Sequence, residues 1–257
     1  MRILRHATAL ATASLLLVLV GCRSRSPADS ELPRGIRWNG QTGVLSFRKG
    51  SHTSTMRFVR VPAGSFLMGG DDCARTILDE GPPRVRRIDA GFWLGATEVT
   101  RAQWSAFSGE APASDPELPV THISWDQVQT FVKRVSKESG TEFRLPTETE
   151  WEYACRAGFG TPWPWAGDRR ELAHHAWYLA NSGAHVRPVA TRRPNPLGLY
   201  DMLGNVLEWT QDATEPGNRV LRGGFVLSEA DGASCACRYH FPAAYGFQFG
   251  GFRLATD

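Results

Sequence analysis

The residues with the greatest chemical reach are cysteines near the C-terminus. Cys235 and Cys237 stand one residue apart within SCACRYHFPAAYGFQFGGFR, Ser234 to Arg253, and three further cysteines occur at Cys22, Cys73 and Cys155. On an extended strand positions i and i+2 share a face, and rotamer choice could bring both sulfurs onto one soft metal ion. Equally, a reduced cysteine packs as a small apolar side chain, so the pair could serve as core. A disulfide between the two is disfavoured, because Cα atoms about 6.5–7 Å apart sit at the limit of that bond. The seven histidines offer less. His174 and His175 are adjacent and lack the i,i+4 partner of a helical metal site, so they read as a solvated surface.

The same C-terminal stretch is aromatic and nearly uncharged. It holds six Phe or Tyr residues and no Asn, Lys, Asp or Glu. Tyr245, Phe247 and Phe249 recur at period 2, which fits a strand but does not say whether that face looks inward or outward. Pro242, Gly246, Gly250 and Gly251 around them favour a loop, and so a displayed surface.

These groups need a scaffold. The chain has 257 residues, 42% hydrophobic and 21% charged, an ordinary globular composition that excludes disorder. Residues 1–21 combine a basic start with an apolar run from Ala7 to Val20. That run is too short for a hydrocarbon core needing ~20 residues, so it reads as a secretory signal. Its ending, Leu19-Val20-Gly21-Cys22, is similar to the lipobox of bacterial lipoproteins, which implies lipidation of Cys22 and a place in the cell envelope, facing the periplasm or cell exterior. Removing Arg2 and Arg5 lowers the formal charge from +3 to +1, which gives no footprint for nucleic acid; the membrane contact expected is the lipid anchor alone. Residues 22–42 read as a polar tether and 43–257 as the folded domain. Cys73, Cys155, Cys235 and Cys237 could then form disulfides in any of three pairings.

Within the domain, strands are expected around Gly43–Phe47 and Met56–Val61. Two helices announce themselves by capping boxes. Ser124 with Gln127 opens one that ends at Gly140, with Val128, Phe131, Val132 and Val135 on one stripe, and Thr147 with Glu150 opens another that stops at Gly158, with Trp151, Ala154 and Cys155 inward. With 26 Gly, 16 Pro and 9 Trp, the remainder reads as short strands and long loops pinned by aromatics in one α+β domain.

Several segments together carry a resemblance. FRLPTETEWEYACRAG (143–158), PNPLGLYDMLGNVLEWTQD (194–212), RVLRGG (219–224) and GFRLA (251–255), with VPAGSFLMGG (61–70) and EVTRAQW (98–104), are similar to the motifs of the formylglycine-generating enzyme, or sulfatase-modifying factor, family. The resemblance implies an α+β variant of the C-type lectin fold with two main helices and small antiparallel sheets. In that family a cysteine pair downstream of RGG binds copper for oxidation. Counting from Gly224, those positions are Ser228 and Ala233, so the resemblance implies a non-catalytic chain; an oxidase using Cys235 and Cys237 as a displaced copper pair is the alternative. The family's LYDMLGNVLEW turn implies structural calcium held by Asp201, Gly204, Val206 and Glu208. A second calcium position would begin at Asn181 and Ser182, where the chain is too short to complete it.

Finally, the segment 225–250 lacks Asn and is filled by aromatic and small residues. In this it resembles the variable proteins of diversity-generating retroelements, whose C-terminal segment is a changeable binding surface. That resemblance implies ligand contacts from Phe225, Val226, Leu227, Tyr239, His240, Phe241, Tyr245, Phe247 and Phe249, with a protein or glycan as partner. Rigid aromatic side chains suit such a surface, giving large contact area at small entropic cost.

Overall fold

The computed structural model describes residues 36–38, 42–49, 52–70, 82–111, 114–161, 163–165 and 168–257. The expected signal segment, Cys22 and Cys73 lie outside them. Among the described residues no helix is long and apolar enough to cross a membrane.

A five-stranded sheet organises the N-terminal half, in the order β1 (Ile36–Trp38), β2 (Gly43–Lys49), β3 (His52–Val61), β6 (Phe92–Gly95) and β11 (Ala255–Thr256). Strand β1 falls within 22–42, so the expected tether is shorter than read: Ile36 pairs with Leu45 and is buried. Strand β6 is buried throughout and β3 at Met56, Phe58, Val59 and Val61, and alternation sends these side chains to two different cores. Met56, Phe58 and Trp93 face a cluster with Trp104, Phe131, Val135, Trp209 and Phe252. Val59, Val61, Phe92 and Leu94 face a second with Trp151, Ala154 and Cys155.

Three helices cover these faces. The expected α2 (Trp125–Ser139) and α3 (Glu148–Arg156) form with both capping boxes in place, and the stripe Val128, Phe131, Val132 and Val135 is buried. The EVTRAQW stretch adds a further helix, α1 (Arg101–Ser108), started by the same device between Thr100 and Gln103. Strands β4 (Gly64–Met68) and β5 (Arg84–Ile88) make a separate hairpin-like pair. Helices α4 (Leu172–His175) and α5 (Leu179–Ser182) are single turns. His174 is exposed as expected, whereas His175 stacks on Trp165 with centroids 4.4 Å apart.

The second sheet positions the C-terminal segment. Its order is β10 (Gly250–Gly251), β7 (Leu207–Ala213), β8 (Asn218–Arg222) and β9 (Arg238–Pro242). Strand β10 runs parallel to β7 and β9 antiparallel to β8. The chain therefore leaves β8 at RGG, makes a long excursion through Cys235 and Cys237, returns as β9, and turns once more before β10.

Candidate functional site: an aromatic surface over a buried ionic cluster

The RGG turn sets the exit from β8. Gly224 has φ +74°, and a Cβ there would stand 2.5 Å from the Gly232 carbonyl oxygen, so only glycine lets the excursion fold back so tightly. Arg222 is fully buried, ion-paired to Glu152 and Glu148, and donates to the carbonyls of Cys235 (2.8 Å) and Ala236 (2.8 Å). The excursion is thus fixed from beneath by one guanidinium.

The cysteines take one of the disulfide pairings left open by the sequence and correct the two readings that kept Cys235 and Cys237 reduced. Cys235 is bonded to Cys155 of α3, with Cα atoms 5.7 Å apart, and Cys237 is disulfide-bonded as well. Neither sulfur is a free thiolate, so Cys235 and Cys237 form neither a copper pair nor two reduced apolar side chains. Ser228 and Ala233, at the copper positions implied by the family, are buried. Ser228 builds a turn: its hydroxyl accepts from the Phe225 N–H at 3.0 Å, and its own N–H donates to the Phe225 carbonyl at 2.8 Å.

The aromatic residues come together. Phe225 touches Tyr239, Phe247 and Phe249 at 5.3–6.2 Å between centroids, and Phe241 stacks on Phe247 at 4.9 Å. Tyr245 extends the group toward solvent, 5.6 Å from Phe241. The six rings form one continuous patch. Its underside is core: Phe225, Tyr239, Phe241 and Phe247 pack against the cluster of Trp104, Leu207, Trp209 and Phe252. Its outer side is open, with Tyr245 49% exposed; of the other expected contacts Leu227 is 38% exposed, and His240 is exposed but, one residue from Tyr239 and Phe241 on β9, points to the opposite face of that strand. Burial raises the Tyr239 phenol above its ordinary value. Val226 is the exception among the expected contacts. It is fully buried, its N–H donating to the Asn205 carbonyl at 3.1 Å and its carbonyl accepting from the Ser182 hydroxyl at 2.7 Å. It sits inside the turn that Ser228 closes on Phe225, and these two backbone bonds hold it inward.

The loop after β9 is pinned to the segment before α2. Phe247 bridges Ile123, and Gly246 lies so close that a Cβ would meet the His122 carbonyl oxygen at 3.0 Å. Beside it opens a groove of about 470 Å³ lined by Arg101, Trp104, Glu110, Thr121 and His122 among others.

Below Val226 lies the turn expected to hold calcium. Asp201 is buried in the left-handed region, φ 54°; one carboxylate oxygen, Oδ2, accepts from the Ala190 N–H at 2.7 Å, and Oδ1 has no partner. Burial holds its carboxyl high, at about 6. Glu208 is committed elsewhere: Arg253 donates to both its oxygens at 2.6 Å, and the Trp151 indole donates to Oε2 at 2.8 Å. Glu98, which the sequence offered only as part of a motif, sits against this cluster fully buried. It accepts from Asn205 Nδ2 at 3.2 Å through Oε2, while Oε1 has no partner. Burial, then the Asp201 and Glu208 charges, push its carboxyl well above the usual range. The donor set fits a hard cation in part: buried carboxylate oxygens stand open, and Gly204 and Val206 lie in the same turn, but Glu208 is taken by Arg253. At Asn181 and Ser182 the side chains serve local bonds, Asn181 to Tyr178 and Ala176, Ser182 to Val226.

Two layered cores, an RGG-gated excursion and a GFR arginine locked on Glu208 define a class, and residues 46–257 match the sulfatase-modifying factor enzyme 1-like domain: the chain belongs to that family. Among relatives, the inactive C-alpha-formylglycine-generating enzyme 2 of Bos taurus is 36% identical over 158 residues, 56% of this chain and 50% of that protein. The formylglycine-generating enzyme of Mus musculus is 28% identical over 259 residues, 75% of this chain and 68% of that protein. The chain spans about half the length of the Bos taurus protein it matches. Among solved structures, Treponema denticola variable protein 1 superposes with a TM-score of 0.73 at 25% identity, over 83% of this chain and 98% of that one. PvdO from Pseudomonas aeruginosa superposes with a TM-score of 0.70 at 24% identity over the same shares.

Proposed function

We propose that the chain is a non-catalytic binding protein, carried outside the cytoplasm on a lipid at Cys22 and presenting its aromatic patch to a protein or glycan ligand. The observation that carries this reading is the six-ring patch: rooted in the core on one side and open on the other, where Tyr245 stands exposed. Open aromatic patches on a rigid base are what interaction sites look like. Ser228 and Ala233, where the family reading places copper thiols, and the disulfides at Cys235 and Cys237 support a role without oxidation chemistry. Disulfides also suit an oxidising compartment. We read residues 225–250 as the changeable part, a reading supported by the likeness to a protein named as variable. The contacts assigned are Phe225, Leu227, Tyr239, Phe241, Tyr245, Phe247 and Phe249. Calcium at the Asp201 turn would brace the loops beneath and take no part in a reaction.

Sequencing the locus in sibling strains tests this. Substitutions concentrated at the open positions, with Arg222, Gly224, Cys235 and Val226 constant, and an Asn-rich copy of the last forty or so codons beside a reverse transcriptase, are expected. An invariant segment with no such copy overturns the variable-surface reading. Loss of ligand capture in a Leu227→Ser, Tyr245→Ser variant that melts normally would tie binding to this face.

A further inference from the structure

Glu98, Asp201 and Glu208 surround one cation, Arg253, and all four are buried. Arg253 closes a bidentate pair with Glu208 and gives its remaining bonds to the carbonyls of Gly95 and Tyr200, both at 2.9 Å. One carboxylate is therefore neutralised and two are not. Those two carry the oxygens left without any partner, Glu98 Oε1 and Asp201 Oδ1, each sealed from solvent. An uncompensated carboxylate inside a protein is strongly disfavoured unless a proton or a cation completes it. The local backbone is arranged to keep both in place: Asp201 at φ 54° and Asn205 at φ 56° are non-glycine residues held left-handed, and Asn205 reaches Glu98.

Resting on the reading that this turn holds calcium, we propose that Glu98 is a ligand of the ion, binding through Oε1 together with Asp201 Oδ1, and that Glu208 is the anchor of Arg253 instead of a ligand. A calcium-sized ion suits two carboxylates plus loop carbonyls, because it tolerates irregular oxygen geometry where magnesium requires a near-octahedral, mostly hydrated one. The site also reaches the aromatic patch, since Asn205 accepts the Val226 N–H from directly beneath Phe225 and Leu227.

The experiment is calcium titration of the chelator-treated full-length chain and its Glu98→Gln and Asp201→Asn variants, by calorimetry and melting. Calcium is expected to raise the wild-type melting temperature, and each variant to bind at least ten-fold more weakly. Wild-type affinity in Glu98→Gln, with binding lost in Asp201→Asn, overturns the role of Glu98 and leaves the calcium reading standing. Failure of the wild type to bind calcium overturns both and leaves the pair held by protons. If Glu98→Gln does not fold, Glu98→Asp keeps the charge but withdraws the oxygen, and unchanged affinity there overturns the proposal.

Discussion

Replacing Cys155 and Cys235 together by alanine should destabilise the domain by about 4.5 kcal/mol. The magnitude follows from the 80-residue separation of the two cysteines: in the chain-entropy description a cross-link of that span removes about 15 cal/mol/K from the unfolded ensemble at 298 K. Both side chains are fully buried, one at the end of α3 and the other in the excursion after RGG, so the bond ties the second core to the segment that carries the aromatic patch. Urea denaturation of the double variant and wild type, both kept oxidised, gives the difference directly, since the slope should change along with the midpoint when the unfolded chain expands. Thiol titration of the denatured, unreduced wild type supplies the companion result: neither Cys155, Cys235 nor Cys237 should react. A stability difference below about 1 kcal/mol, or reactive Cys235 in unreduced protein, refutes the pairing and the argument against a copper site at Cys235 and Cys237.

Other substitutions separate surface from support. Tyr245→Ser should alter stability by no more than ~0.5 kcal/mol, while Phe247→Ala, stacked on Phe241 and packed on the core, should cost about 2 kcal/mol, short of the 3–5 of a fully buried ring; urea midpoints decide. Arg253→Met leaves Glu208 buried without its cation and should cost about 3–5 kcal/mol, read in the same assay. Burial lowers His175 from the ordinary 6.5, so the unfolded chain takes up this proton more readily than the native one. Its contribution is present above 6.5 and is lost as pH falls through the folded value, and His175→Gln should flatten the decline in melting temperature below pH 6.5.

What the sequence disclosed was local. The capping boxes at Ser124 and Thr147 lie within four residues, and both helices start where those residues require. Thr100 and Gln103 carry the same signal and begin α1, yet the segment invited a motif reading and its helix went unread. Everything that decides the site is long-range. Cys235 finds Cys155 at a separation of 80, Asn205 meets Glu98 across 107 positions, and Arg253 meets Glu208 across 45. No pattern of period 2 or 3.6 encodes such partners, and a buried glutamate in EVTRAQW looks like any strand-end polar residue until its neighbours are known. The aromatic stretch shows the same limit in another form. Asking whether Tyr239 to Phe249 are core or surface assumes one answer, but Phe247 rests on the core and Tyr245 rises into solvent, 6.3 Å apart in one patch. A surface that tolerates change needs that division. The inner rings and the Asn205–Val226 bond fix where the outer side chains stand, so the outer ones are free to vary without unfolding what carries them.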